Sequence, residues 1–169
     1  MTPQIQQWVK KAKEDFIKSP GRVLEIGSLD VNGGIRHFFS DAEEYIGIDM
    51  KKGSGVDKVM AAKDILTVFG EESFNTILCL EMLEHDIAFW HTLDNIKKVL
   101  KKGGILLIST PTFGFPLHRY PKDYFRFGVD AYKEMIFKDF SILRLSEVKD
   151  REGNPGICCI GKKTSFRFF

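Results

Sequence analysis

Glu25 and Asp49 are the two acids whose placement constrains the chemistry of this chain most. Glu25 lies in the apolar run Arg22-Val-Leu-Glu25-Ile-Gly27, which continues as Ser28-Leu-Asp30-Val-Asn32-Gly33-Gly34. Asp49 closes a second run, Tyr45-Ile-Gly-Ile-Asp49, and is followed by Met50. The pattern reads as a strand, a glycine-bearing turn, a helix start and a second strand tipped by an acid. Glycine lets backbone approach a ligand, and a strand-tip acid accepts from both ribose hydroxyls. The spacing from Gly27 to Asp49 suits one strand–helix–strand unit, and such a unit holds a nucleoside.

The turn itself argues against a dinucleotide. That ligand calls for G-x-G-x-x-G, with a helix N-terminus aimed at pyrophosphate. Here Ser28, Leu29 and Asp30 follow the first glycine, and Glu25 precedes it by two residues. Carboxylates repel a diphosphate and suit an ammonium or sulfonium group. The segment resembles the first motif, E-x-G-x-x-x-G, of the class I S-adenosylmethionine-dependent methyltransferases, in the subgroup form E-I-G-S-x-D-x-N-G. The resemblance runs over roughly residues 22–163. It implies S-adenosylmethionine as cofactor, a ribose contact at Asp49, and a Glu25 that orders the glycine loop through backbone hydrogen bonds, directly or through water, near the ligand's ammonium. Asp30 and Asn32 either cap the following helix or touch the ligand, and Ser28 lines the loop.

Two further segments extend the resemblance. Many relatives carry Asp-Ala after the third strand to meet adenine, whereas this chain has Ala61-Ala62-Lys63-Asp64. Backbone at Ala62 still reaches an adenine ring there, and Asp64 either substitutes for the missing acid or caps the next helix. Leu80-Glu81-Met82-Leu83-Glu84-His85 resembles the fourth motif. By that resemblance Leu80, Glu81 and Met82 line the cofactor floor, while His85 caps the loop, adjoins the cofactor or acts in catalysis. The segment His118-Arg119-Tyr120-Pro-Lys-Asp123-Tyr124-Phe-Arg126-Phe127 resembles a run found in small methyltransferases of this subgroup. It sits in a long loop, 109–128, on the side expected for the acceptor. His118 is the candidate base or else a loop anchor. Arg119 and Arg126 suit an acidic acceptor group or a pairing with Asp123. Tyr120, Asp123 and Tyr124 are split between acceptor contact and loop architecture. The amino-methyltransferase tetrad is absent, and no cysteine sits in a nucleophile loop.

The elements that must position these groups follow from periodicity and breakers. Thr2 and Pro3 start a helix with Ile5, Trp8, Val9, Ala12 and Phe16 on one face, ended near Ser19-Pro20-Gly21. Strands are expected at 22–26, 44–48, 58–60, 74–80 and 105–108, with a short helix carrying Ile35, Phe38 and Phe39 after the glycine turn. Asp86 caps a helix whose buried stripe is Phe89, Leu93, Ile96 and Leu100; Lys97, Lys98, Lys101 and Lys102 crowd its end and Gly103 stops it. After a helix near 130–137, apolar runs 140–148 and 156–162 are joined only by a turn. That link is too short for a crossover, so the two are antiparallel neighbours. The expected fold is α/β, a Rossmann-like three-layer sandwich whose seven-stranded, mostly parallel sheet ends in an antiparallel hairpin.

Bulk properties narrow the rest. The 169 residues suit a single domain: an N-terminal helix (1–19), a cofactor-binding part (22–108), the acceptor-side loop and a C-terminal helix and hairpin (129–163). A net charge of +2 and a pI near 8.4 are too mild for a dedicated nucleic-acid surface. Cys79, Cys158 and Cys159 lie in apolar strands. The last two point to opposite faces, so reduced thiols in a cytoplasmic protein are expected. No spacing resembles a metal site, and no run reaches membrane-spanning length. The expected activity is methyl transfer to a small-molecule or glycan-like acceptor, on oxygen with nitrogen as the other choice, by a monomer or homodimer; the alternative is a non-catalytic module binding S-adenosylmethionine or S-adenosylhomocysteine. The three phenylalanines in 165–169 pack on the domain edge or meet a partner.

Overall fold

The computed structural model describes residues 1–119 and 121–164, so Tyr120 and the 165–169 tail lie outside the described residues. Helix α1 (Pro3–Phe16) begins as its sequence dictates, with Thr2 Oγ1 accepting from the Ile5 N–H at 3.4 Å. Strands β1 (Arg22–Ile26), β2 (Glu44–Asp49), β3 (Lys58–Val59), β4 (Phe74–Leu80) and β5 (Leu100–Pro111) run parallel. Strands β6 (Phe140–Lys149) and β7 (Pro155–Lys163) form the expected hairpin, and β7 is antiparallel to β5 as well. The sheet order is β3-β2-β1-β4-β5-β7-β6. The order reverses between β1 and β4, so their carboxyl ends flank the crevice where open α/β sheets bind ligands.

Strand alternation divides the core into two layers. Val23, Leu78, Leu80, Leu107, Cys158 and Ile160 face α1 together with Ile35 and Phe39. Leu24, Ile26, Ile77, Cys79, Leu106 and Cys159 face the other side. There they meet α2 (Ile65–Phe69), α3 (Phe89–Val99) and α4 (Val129–Ala131), which continues as a π-helical turn at Tyr132–Ile136. Each large aliphatic side chain so buried contributes about 1.5–3 kcal/mol. Cys158 and Cys159 lie in different layers, as the pleat requires, and all three cysteines are free and buried. No helix of the described residues is long and apolar enough to cross a membrane.

Several boundaries differ from expectation. The segment after the glycine turn is one 3-10 turn, Arg36–Phe39, rather than an α-helix. Helix α3 stops at Val99, and Leu100, Lys101, Lys102 and Gly103 already belong to β5, where Leu100 pairs with Phe74. Sheet pairing overrides the helical periodicity that continues through Leu100. Asp86 does serve the start of α3, accepting from the Ala88 N–H and Thr92 Oγ1 at 2.9 and 2.5 Å. Asp64 precedes α2 without capping it, because its own residue is still in a 3-10 turn.

No helix joins β2 to β3. The eight intervening residues fold back over β2, and Gly47 makes room for them: a Cβ there would lie 2.2 Å from the Gly55 carbonyl oxygen and 2.7 Å from Ser28 Oγ. Substituting Gly47→Ala must displace this loop, at a cost of about 2 kcal/mol or more in line with overpacking elsewhere. Urea denaturation measures it, and an unchanged midpoint would contradict the packing described.

Candidate active site

Gly27 leaves β1 in the left-handed region at φ +78°, and a Cβ there would sit 3.1 Å from Met82 Cγ. Its N–H and that of Ser28 both donate to the Ile48 carbonyl, at 2.9 and 3.0 Å. Among the described residues no direct hydrogen bond joins the Glu25 carboxylate to the backbone of this loop. Instead the Tyr45 hydroxyl donates to Glu25 Oε2 at 2.7 Å. Burial pushes Glu25 up to about 7, against the opposing pull of the Tyr45 hydrogen bond and the nearby Arg36 charge. Arg36 is itself paired with Asp57, which also accepts from the Gly47 N–H at 2.7 Å. Ser28 Oγ is buried without a hydrogen-bond partner among the described residues.

Asp30 serves the loop and caps no α-helix. Its Oδ1 accepts from the Gly33 N–H at 2.7 Å, and its N–H donates to the Ser54 carbonyl. The Asn32 and Gly33 carbonyls accept from Gln6 Nε2 of α1, so the first helix lies against the glycine loop. Asp49 stands at the tip of β2. One carboxylate oxygen accepts from the Lys51 N–H at 2.9 Å and the other from the Leu29 N–H at 3.4 Å. Met50 beside it is exposed. Ala62 opens the 3-10 turn after β3, with Asp64 exposed at its end. Leu80 is buried at the end of β4, and Glu81 follows in the left-handed region at φ +53° with Oε1 accepting from Ser109 Oγ at 2.8 Å. Burial raises the Glu81 carboxyl above its ordinary range.

Across the edge of β4 and β5 a second group of side chains converges. Glu84 is fully buried, and neither of its carboxyl oxygens has a hydrogen-bond partner among the described residues. Burial, with the Glu81 charge beside it, pushes its pKa well up. His85 Nε2 lies 3.5 Å from Glu84 Oε1 and His118 Nε2 lies 3.9 Å from it. His85 Nδ1 is hydrogen-bonded to the Lys122 carbonyl. His118 Nδ1 lies 3.3 Å from Asp123 Oδ2, not aligned for a hydrogen bond. Burial, followed by the neighbouring His85, lowers His118 below the usual imidazole value.

Asp123 and Arg126 prove to be loop braces. Arg126 grips both Asp123 oxygens, at 2.5 and 2.6 Å, and donates to the carbonyls of Phe115, Pro116 and Phe125. That leaves its guanidinium committed within the chain. Asp123 also accepts from the His118 N–H at 2.8 Å, and the Arg126 hydrogen bonds hold its carboxyl well below the usual range. Tyr124 is partly exposed, with its N–H donated to the Glu84 carbonyl at 2.8 Å, and Arg119 is exposed on the loop.

The family model described as a methyltransferase domain matches residues 1–132. The chain belongs to the S-adenosylmethionine-dependent methyltransferases. No curated protein sequence matches it, whereas many solved structures share its fold. One is a Burkholderia thailandensis 1,6-didemethyltoxoflavin-N1-methyltransferase with bound 1,6-didemethyltoxoflavin and S-adenosylhomocysteine: 16% identity, 95% of this chain and 78% of that one, TM-score 0.79. Another is the N-methyltransferase NodS from Bradyrhizobium japonicum WM9 with S-adenosylhomocysteine: 15% identity, 94% and 85% coverage, TM-score 0.68. The cyclase SpnF is similar at 15% identity, 95% and 82% coverage and TM-score 0.73, so this fold is not confined to proteins named for methyl transfer.

The residues present fit the cofactor. Each Asp49 oxygen takes one backbone N–H and keeps lone pairs for ribose hydroxyls. The glycine loop is held by backbone bonds from Gly27 and Ser28 to the Ile48 carbonyl. Sequence reasoning missed Tyr45 and Ser109, the partners of two buried acids. Strand alternation carries the Tyr45 signal, since Glu25 pairs with Gly47 and Tyr45 shares the Gly47 face.

The Glu25–Tyr45 pair has a pH signature. Glu25 titrates near 7 in the fold against 4.5 unfolded, so the folded chain binds the extra proton between those values. Its penalty is absent below about 4.5 and complete above about 7, so stability falls across that window by roughly 3 kcal/mol as pH rises. Glu25→Gln should flatten this slope in denaturation curves measured from pH 5 to 8. A wild-type profile as flat as that of the variant would contradict the burial argument.

Proposed function

We propose that this methyltransferase acts on a small molecule, glycan-like compounds included, and methylates a hydroxyl oxygen. The observation that carries the reading is the convergence of Glu84, His85 and His118 at the carboxyl edge, next to Glu81. A hydroxyl becomes a good nucleophile only as its proton leaves, and it needs such acceptors nearby. An unprotonated amine attacks with a lone pair it already carries. When bound, S-adenosylmethionine supplies a methyl group activated on sulfonium.

The chain's own residues then divide the work. Asp49 holds the ribose hydroxyls, while Gly27, Ser28 and Met82 line the loop side, with Leu80 and Glu81 beneath. Backbone at Ala62, together with the apolar Met60 and Leu66 nearby, serves the adenine end, where this chain has no Asp-Ala pair. The acceptor lies under the 112–128 loop, which the Asp123–Arg126 pair holds in shape. Exposed Phe113, Leu117 and Tyr124 on that loop offer an apolar cover that excludes water from the reacting groups. A small cavity of about 10 Å³, lined by Thr2, Glu81, Phe115, Asp150 and Asn154, marks the same edge and has room for one water.

Two measurements test this. In calorimetric titration with S-adenosylhomocysteine, Asp49→Ala should weaken binding at least tenfold, since a hydrogen bond to a charged group is worth about 1.5–3 kcal/mol. Unchanged affinity would remove Asp49 from the cofactor site. For the acceptor, cofactor carrying a carbon-13 methyl group is incubated with panels of phenols, sugars and amines, and the product linkage is read by NMR. A methyl ether supports the proposal, and transfer only to nitrogen or carbon overturns it.

A further inference from the structure

Glu84, His85 and His118 present three electron-pair donors to one another with no donor hydrogen between them. The Lys122 carbonyl can only accept, so the proton of a neutral His85 sits on Nδ1 and its Nε2 carries a lone pair. That lone pair faces Glu84 Oε1 at 3.5 Å. His118 Nδ1 lies on the side of the Asp123 carboxylate, and with that ring's proton on Nδ1 its Nε2 lone pair faces Glu84 Oε1 at 3.9 Å. Glu84 is fully buried, with both oxygens unpartnered among the described residues. Such an arrangement repels itself unless a proton or a metal cation sits among the three. A single proton reconciles one pair and leaves the third group unmet.

We infer that Glu84, His85 and His118 form a binding site for one divalent first-row transition-metal ion. The three donor atoms lie within 4.8 Å of one another, and two of the edges approach the roughly 3.3 Å expected for donors about 2.0–2.1 Å from a tetrahedral ion. Two imidazoles and a carboxylate suit zinc, manganese or iron(II) and leave a position open. The outer contacts are those that metal-bound histidines use. One ring is held by a carbonyl, the other faces a carboxylate, and that carboxylate is fixed by Arg126. Sequence spacing gave no sign of the site because Glu84 and His85 follow β4 while His118 arrives on the loop after β5.

The inference goes beyond the proposed function, and the site stands whatever the acceptor is. If the acceptor is a hydroxyl, an ion at the open position would bind its oxygen and lower its pKa, and His118 would then be a ligand rather than a base.

The test uses the full chain stripped with chelator and titrated calorimetrically with zinc and with manganese, and with cobalt(II) for its visible absorption. One ion per chain is expected, with affinity reduced at least ~100-fold in His85→Ala and His118→Ala and unchanged in the control His91→Ala. Far-UV circular dichroism shows whether each variant is folded, and His118, on a surface loop, is the safer of the two. Absence of saturable binding by the wild type, or binding that survives His118→Ala, overturns the site. S-adenosylhomocysteine titration of the chelated wild type keeps the two readings apart, since cofactor binding without metal binding sinks only this one.

Discussion

The Ile48 carbonyl accepts two consecutive N–H groups, from Gly27 and Ser28, and the geometry of the cofactor side depends on it. Two successive amides meet one oxygen only where the chain turns sharply, and Gly27 at φ +78° provides the turn. The bond ties the loop after β1 to the end of β2, one residue before Asp49. Asp49 then closes the same junction from its other side through the Leu29 N–H. The approach of the β2–β3 loop to Ser28, which Gly47 and Gly55 permit, completes the clamp. Asp49 and the glycine loop thus share one rigid reference, so neither depends on a ligand to find its place.

Three carboxylates are buried near this edge, and each is handled differently. Glu25 takes a hydroxyl from Tyr45, and Glu81 takes one from Ser109. Glu84 takes none. A bare carboxylate in the interior costs several kcal/mol, far more than a surface ion pair returns. A fold that is stable by roughly 5–15 kcal/mol retains such groups only where something offsets them, or where their function outweighs the cost. Glu25 is offset within the chain. Glu84 is the group whose cost nothing in the described chain offsets, and it lies beside two imidazole nitrogens.

The fold was largely legible because its signals are local. The breakers around Pro20 and Gly21, the apolar β4 run and the short link before Pro155 each demand one structure. The α3 boundary was not, since Leu100 continues the helical stripe and only its pairing with Phe74 moves it into β5. The cofactor side was legible as residue types at strand ends. The partner of Glu25 was not, because the choice between loop amides and Tyr45 depends on how β1 and β2 register. The surroundings of Glu84 were not legible for a similar reason. Its neighbours come from a loop whose path no periodicity sets.

That loop owes its path to one buried ion pair. Asp123 is almost wholly enclosed and receives two guanidinium bonds and the His118 amide, while Arg126 spends its other donors on three loop carbonyls. Bidentate, charge-assisted bonds of this kind are directional as well as strong, so they fix orientation where apolar packing would allow sliding. The arginine converts a stretch without regular structure into a frame with His118 at one end and Tyr124 at the other. The Tyr124 amide on the Glu84 carbonyl anchors that frame to the segment after β4. The H-R-Y-P-x-D-Y-F-R-F pattern therefore encodes first the means of holding His118 over Glu84. Its specificity for an acceptor must come from the side chains that this frame leaves facing outward.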